Sequence, residues 1–145
     1  MSIHQQLFHI LDLYKIALAQ AFRSQQIALS PLHYKVLHLI QSLDPATPQL
    51  IAQHSGRDKA QVTRLLQDME KQGLIEKQPH PHDKRSVCLA LTKRAVTLCT
   101  QAALLVSQLD RQLSSQLTAD EQQQLHQLLQ KLAQGLTCPL KASSD

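Results

Sequence analysis

The sequence predicts a mainly α-helical fold of six helices with one small β-hairpin between the fourth and the fifth. Three observations carry that prediction. Aromatic residues are only 3% of the 145 and tryptophan is absent, so the core must be built from Leu, Ile, Val and Ala, which favours helices over a sandwich of sheets. Apolar residues recur at three- and four-residue spacing through most of the chain. Between Gly73 and Thr92 the period changes to alternation, the mark of short strands.

Each element follows from its own punctuation. Ile3 to about Arg23 carries Leu7, Ile10, Leu11, Tyr14, Leu18 and Phe22 on one stripe, which predicts a long amphipathic helix. Ser30-Pro31 supplies an N-cap and a proline at the first helical position, opening a second helix through Leu43. Asp44-Pro45 makes the break, and Thr47-Pro48 repeats the device for a short third helix to about His54, with Leu50, Ile51 and Ala52 inside it. Asp58, with Gln61 three residues on, resembles a capping box, and the fourth helix runs to Gln72 before Gly73 ends it. With a tight turn at Ser55-Gly56, residues 47 to 72 form a helix-turn-helix unit.

Ile75 to Gln78 and Ser86 to Leu91 read as the two strands of the hairpin, with Val87, Leu89 and Leu91 on one side of the second and Cys88 out of phase with them. Residues 79 to 84 make the turn. Thr92 caps a fifth helix to about Gln116, with Val96, Leu98, Leu104, Leu105, Leu109 and Leu113 as its apolar positions. Thr118 to Glu121 is a capping box that opens the last helix, whose stripe is Leu125, Leu128, Leu129 and Leu132 and which Gly135 closes. The tail, residues 136 to 145, is expected to be loose. The order is helix, helix, helix-turn-helix, β-hairpin wing, helix, helix: a winged helix-turn-helix.

Length and charge narrow the class. The chain is one domain's worth, residues 1 to 145, long enough for a core yet short enough to leave helical faces in want of a partner. No run of about 18 apolar residues exists and the N-terminal helix is broken up by His4, His9, Asp12 and Lys15, so a soluble cytoplasmic protein without a signal peptide is expected. Net charge is +4, and the segment from Arg57 to Arg94 alone holds nine basic against five acidic residues, the whole of that surplus. A polyanion docking on this segment is the physical expectation, because each neutralised phosphate releases counterions.

The fourth helix shows what such a partner would meet. Val62, Leu65, Leu66 and Met69 gather on one face, and Ala60, Thr63, Arg64, Gln67 and Lys71 on the other. That outer face offers a small residue, a hydroxyl, an amide and a guanidinium with little bulk between them, the groups that read base edges.

The order of elements and three segments resemble the MarR family of bacterial transcription regulators over nearly the whole chain. The segments are Leu29-Ser30-Pro31 with Val36-Leu37, Val62-Thr63-Arg64-Leu65-Leu66 followed by Met69-Glu70 and Gly73-Leu74-Ile75, and Asp83-Lys84-Arg85-Ser86 leading to Leu89-Ala90-Leu91-Thr92. One departure is Ala95, where many relatives carry glycine, a mild change at a helix start. The resemblance implies a homodimer interlocked through its terminal helices, 1–24 and 93–135, with a DNA-binding lobe at 30–92. The long stripes agree, since a lone winged core could hardly bury them.

The resemblance also implies roles. Ala60, Gln61 and Arg64 fall at base edges in the major groove of a double-stranded operator, with Lys59 and Thr63 near phosphate. Arg64 suits a bidentate contact to guanine and Gln61 one to adenine. Arg85 is the wing residue for the minor groove, whose narrow form attracts arginine, and Lys84 adds charge beside it. Asp83 would hold either the Arg85 side chain or the turn, and His82 would add partial charge. A small aromatic or phenolic effector would sit in a crevice lined by Tyr14, His33, Tyr34, Leu37 and Leu66.

Other classes find little in the sequence. Eight histidines, with His80-Pro81-His82 densest and His9, His33 and His38 as further partners, complete no tetrahedral set at recognisable spacing, so no metal and no cofactor are expected. Cys88, Cys99 and Cys138 form no C-x-x-C pair and read as reduced thiols, and the N-terminal cysteine of peroxide-sensing MarR-like proteins is missing. No G-x-S-x-G, no glycine-rich phosphate loop among only three glycines and no paired carboxylates in an apolar surround support an enzyme. The rival reading from another class is a winged-helix module whose basic face meets an acidic protein.

Overall fold

The computed structural model describes residues 1–137; of the expected tail, residues 138–145, Cys138 among them, lie outside them. Six helices and one two-stranded antiparallel sheet follow in the order α1 (Ile3–Ser24), α2 (Pro31–Ser42), α3 (Pro48–Ser55), α4 (Lys59–Lys71), β1 (Ile75–Pro79), β2 (Val87–Leu91), α5 (Lys93–Ser114) and α6 (Ala119–Thr137). The backbone groups into two compact units, Met1–Ser107 and the segment from Gln108 onward.

The caps are those the sequence signals. Ser30, Thr47 and Asp58 each accept a hydrogen bond from the backbone N–H three residues on, and Pro31 and Pro48 occupy first helical positions. At Asp58 only half of a capping box forms, since its carboxylate takes the Gln61 N–H at 2.8 Å with no reciprocal bond. Ser2 and Gln5 close a full box at the start of α1 that the sequence reading did not anticipate. Gly56 and Gly73 have φ of 66° and 71°, left-handed conformations that end α3 and follow α4 and that a side chain would strain.

In the first unit the core comprises Leu18 and Phe22 of α1, Val36, Leu37 and Ile40 of α2, Ile51 of α3, Val62, Leu66 and Met69 of α4, and Leu74 and Ile75 leading into the wing. Burying this apolar surface is the main favourable contribution to folding. The hairpin pairs Ile75 with Leu91 through Pro79 with Val87, and the Leu89 N–H donates to the Ala46 carbonyl at 2.8 Å, tying β2 to the segment before α3.

Three sequence expectations are corrected. Along β2 both Cys88 and Leu89 are buried while Val87 is exposed, so the strand has no single inward face. Cys88 and Leu89 are enclosed on opposite sides, Ala90 and Leu91 at the base are half-buried, and the outer end at Val87 is free. In α5 the buried residues are Ala95, Cys99 and Ala102, whereas Val96, Leu104 and Leu113 are exposed, because only small side chains fit where the helix lies against the core. Gly135 does not end α6, which continues to Thr137; nothing approaches the position, and one helical glycine costs only about 1 kcal/mol.

In the second unit the Thr118 hydroxyl accepts from the Glu121 N–H at 3.2 Å, and the Glu121 carboxylate accepts from the Thr118 N–H at 2.8 Å. Gln122 donates to the carbonyls of Ser114 and Leu117, closing the turn between α5 and α6. No residue of α6 is buried, and Leu125, Leu128, Leu129 and Leu132 are 39–56% exposed.

Candidate nucleic-acid interface

Helix α4 separates its two faces as its sequence demands. Val62, Leu66 and Met69 are buried and Leu65 is half-buried, while Lys59, Ala60, Gln61, Thr63, Arg64, Gln67 and Lys71 are exposed. One ion pair occurs among the described residues, Lys77 with Glu70 at 3.6 Å, so the Arg64 and Arg85 guanidiniums keep their donors for a ligand. The Thr63 hydroxyl donates to the Lys59 carbonyl at 2.8 Å. To donate to a phosphate it must exchange that bond.

Both ends of α4 are held. Asp58 caps the first turn, and at the other end the Thr92 hydroxyl donates to the Gly73 carbonyl at 2.6 Å while Arg94 donates to the Gln72 carbonyl. Thr92 also accepts from the Ala95 N–H at 3.2 Å, so one hydroxyl caps α5 and tethers the end of α4. These contacts join residues 19 and 22 positions apart, and no local pattern announces them.

The wing tip is built by side chains bonding to backbone. The Asp83 carboxylate accepts from the Arg85 N–H at 2.9 Å and its carbonyl from the Ser86 N–H at 3.1 Å, so of the two roles expected for Asp83 it takes the turn. The His80 Nδ1 accepts from the N–H groups of both His82 and Asp83, each at 3.0 Å. His82, Asp83, Lys84 and Arg85 are all exposed.

Two of the five expected crevice residues line one cleft. A cleft of about 800 Å³ within the first unit takes Tyr14 of α1 and Tyr34 of α2, but His33, Leu37 and Leu66 are not on its wall. Leu37 is fully buried and Leu66 nearly so, both spent on the core. Lys15, Lys35, His38 and Arg57 line the cleft instead. The available signal was the repeated Tyr-Lys dipeptide, 14–15 and 34–35, which sets a phenol and an ammonium side by side on two helices. Burial, and secondarily Cys99 and Tyr14, push the Tyr34 phenol up, keeping it a neutral donor. His33 is instead held below the ordinary imidazole range by burial, partly offset by Asp68 on α4.

Among the described residues no three His, Cys, Asp or Glu side chains converge as a metal site would require. Cys88 and Cys99 are free and buried, and burial pushes the Cys99 thiol up, which keeps the reactive thiolate scarce. No helix among these residues is long and apolar enough to cross a membrane.

A helix-turn-helix whose second helix presents a polar, cationic outer face, followed by a hairpin carrying Lys84 and Arg85 at its tip, defines the winged helix-turn-helix class. Comparison with known proteins fixes the family within it. The sequence profile of the MarR family matches residues 29–87. The multiple antibiotic resistance protein MarR of Escherichia coli is 36% identical over 110 residues, covering 72% of this chain and 76% of that protein, and the Salmonella typhimurium protein of the same name matches equally. The crystal structure of apo MarR from E. coli superposes with a TM-score of 0.76 at 28% identity, covering 91% of this chain and 97% of that one. A MarR variant from E. coli complexed with operator DNA gives 0.76 at 30% identity over 88% and 91% of the two chains. The chain belongs to the MarR family.

Proposed function

We propose that the protein is a transcriptional regulator that binds a pseudo-palindromic DNA operator as a homodimer in the cytoplasm, acts as a repressor, and leaves the operator when a small anionic effector binds. It is a binding protein and not an enzyme. The observation that carries this reading is the exposed cationic and amide face of α4 followed by the basic wing tip, both within the segment that holds the chain's charge surplus. The related E. coli MarR crystallised on operator DNA with the same architecture, which supports it.

In this reading Ala60, Gln61 and Arg64 meet base edges in the major groove, Lys59 and Thr63 meet phosphates, and Arg85 enters the minor groove with Lys84 on the backbone beside it. Asp83 shapes the turn that aims Arg85. The dimer is supported by α1, where Ile3, Leu7, Phe8, Ile10, Leu11, Leu13 and Ile16 are 44–58% exposed. So large an apolar surface on one helix calls for a covering partner. The effector reading rests on the cleft, where Tyr14 and Tyr34 offer hydroxyls and aromatic faces while Lys15, Lys35 and Arg57 favour a carboxylate or phenolate.

Titration of duplex DNA by the intact protein at several salt concentrations tests the reading. Log affinity should fall linearly with log salt, at a slope of about 0.9 per phosphate neutralised. Salt-independent association with an acidic protein, and no duplex binding above background, would replace it with the interaction-module reading.

A further inference from the structure

The wing turn has an unusual organiser. The side chain that gathers the backbone N–H groups of a tight turn is ordinarily an Asp, Asn or Ser oxygen, which accepts at any physiological pH. Here the work falls to the imidazole of His80, whose Nδ1 accepts from the N–H of His82 and of Asp83, each at 3.0 Å. Pro81 between them has no N–H and stiffens the approach. An imidazole nitrogen that accepts carries no proton, so the ring must be neutral with its hydrogen on Nε2. Protonation turns Nδ1 into a donor facing two further donors. Both hydrogen bonds are then lost together, and the turn is pushed open.

We propose that His80 is the positioning residue of the wing, and that its neutral ring holds Lys84 and Arg85 in their DNA-binding arrangement while protonation releases it. The hold therefore lasts only while Nδ1 carries no proton. The hairpin itself carries several titratable and charged groups close to it in sequence. They are the His82 ring, whose centroid lies 6.3 Å away, with Asp83, Lys84 and Arg85 in the turn and Glu76 and Lys77 on β1, while β2 brings only Cys88. Asp83 is doubly engaged, since its N–H donates to His80 and its carboxylate accepts from Arg85 N–H. Release by His80 thus loosens the residue on which the Arg85 backbone rests.

The DNA consequence rests on the proposed role of the wing, so the test has two arms. In the free protein, the backbone amides of His82 and Asp83 are followed by NMR from about pH 8 to about pH 5.5. Their shifts and hydrogen exchange should change along the His80 ring titration in the wild type, and should stay flat along it in His80→Asn, which supplies an acceptor that does not titrate. In the second arm, affinity for a duplex selected from random DNA by the wild-type protein is measured over the same range for both proteins. Charge gained by the other histidines cancels in the ratio of wild type to His80→Asn. That ratio should fall on acidification by about five- to tenfold, the low end of what two hydrogen bonds contribute. Amides that ignore the ring titration overturn the proposal outright. Amides that follow it, with a ratio that stays flat or rises, overturn the coupling to DNA and count against the wing contact itself.

Discussion

The hydroxyl of Thr92 donates to the carbonyl of Gly73 at 2.6 Å, joining the first residue after the wing to the left-handed residue that follows α4. The same oxygen accepts from the Ala95 N–H, so α4 and α5 share a fastening. Thr92→Val keeps the shape and removes both bonds. It should lower stability by about 1 to 2 kcal/mol, read as a shift of the urea midpoint, while Thr92→Ser should recover most of it. Equal midpoints for the wild type and the valine variant would show that the fastening contributes nothing.

The dimer reading singles out α1. Leu7 and Leu11 are each nearly half exposed and lie one turn apart on the same stripe. The double substitution Leu7→Glu, Leu11→Glu should give a monomer by light scattering, with helix content largely kept, because neither side chain belongs to the buried core. Removing residues 1 to 20 should give monomer or aggregate. A well-folded dimer after that truncation would sink the assignment.

The two groove contacts should separate by mutation. Arg64→Ala should cost about 1 to 3 kcal/mol on the selected duplex and relax preference at one position per half-site. Arg85→Ala should weaken binding mainly where the flanking minor groove is narrow, at A·T tracts. Lys84→Ala should weaken all sequences alike and reduce the salt slope by about one. Anisotropy on matched and permuted duplexes reads all three.

Acid should act on folding through His33 as well as on the wing. Burial lowers its folded-state pKa, with Asp68 opposing, so the unfolded chain binds a proton more readily. The associated stability is fully present above the unfolded value of about 6.5 and is lost as pH falls from there through the folded value. His33→Gln should flatten that part of the stability-against-pH curve, measured by chemical unfolding at stepped pH. An unchanged curve would assign the acid sensitivity elsewhere.

What the sequence made legible was whatever is written locally. Ser30-Pro31, Thr47-Pro48 and Asp58 fixed three helix starts, and the wheel of α4 separated Val62, Leu66 and Met69 from Gln61, Thr63 and Arg64, because capping and periodicity act within a turn or two. What depended on tertiary approach was not legible. The inward face of α5 is Ala95, Cys99 and Ala102 because of what packs against it, and the leucine pattern alone pointed elsewhere. Leu37 and Leu66 were expected in a crevice and proved to be core, since periodicity cannot tell a cavity wall from a packed interior. The two turn hydrogen bonds of His80 were not legible because histidine is not the usual residue for a turn cap.

Selection of bound duplexes from a random DNA pool by the intact protein tests the central claim most directly. An inverted repeat with half-site centres about one helical turn apart, or a multiple of it, is expected, because two recognition helices related by a twofold axis must enter the groove on one side of the duplex. Arg64→Ala should blur one position in each half. Recovery of no enriched sequence, or of a motif without twofold symmetry that Arg64→Ala and Arg85→Ala leave intact, would contradict it.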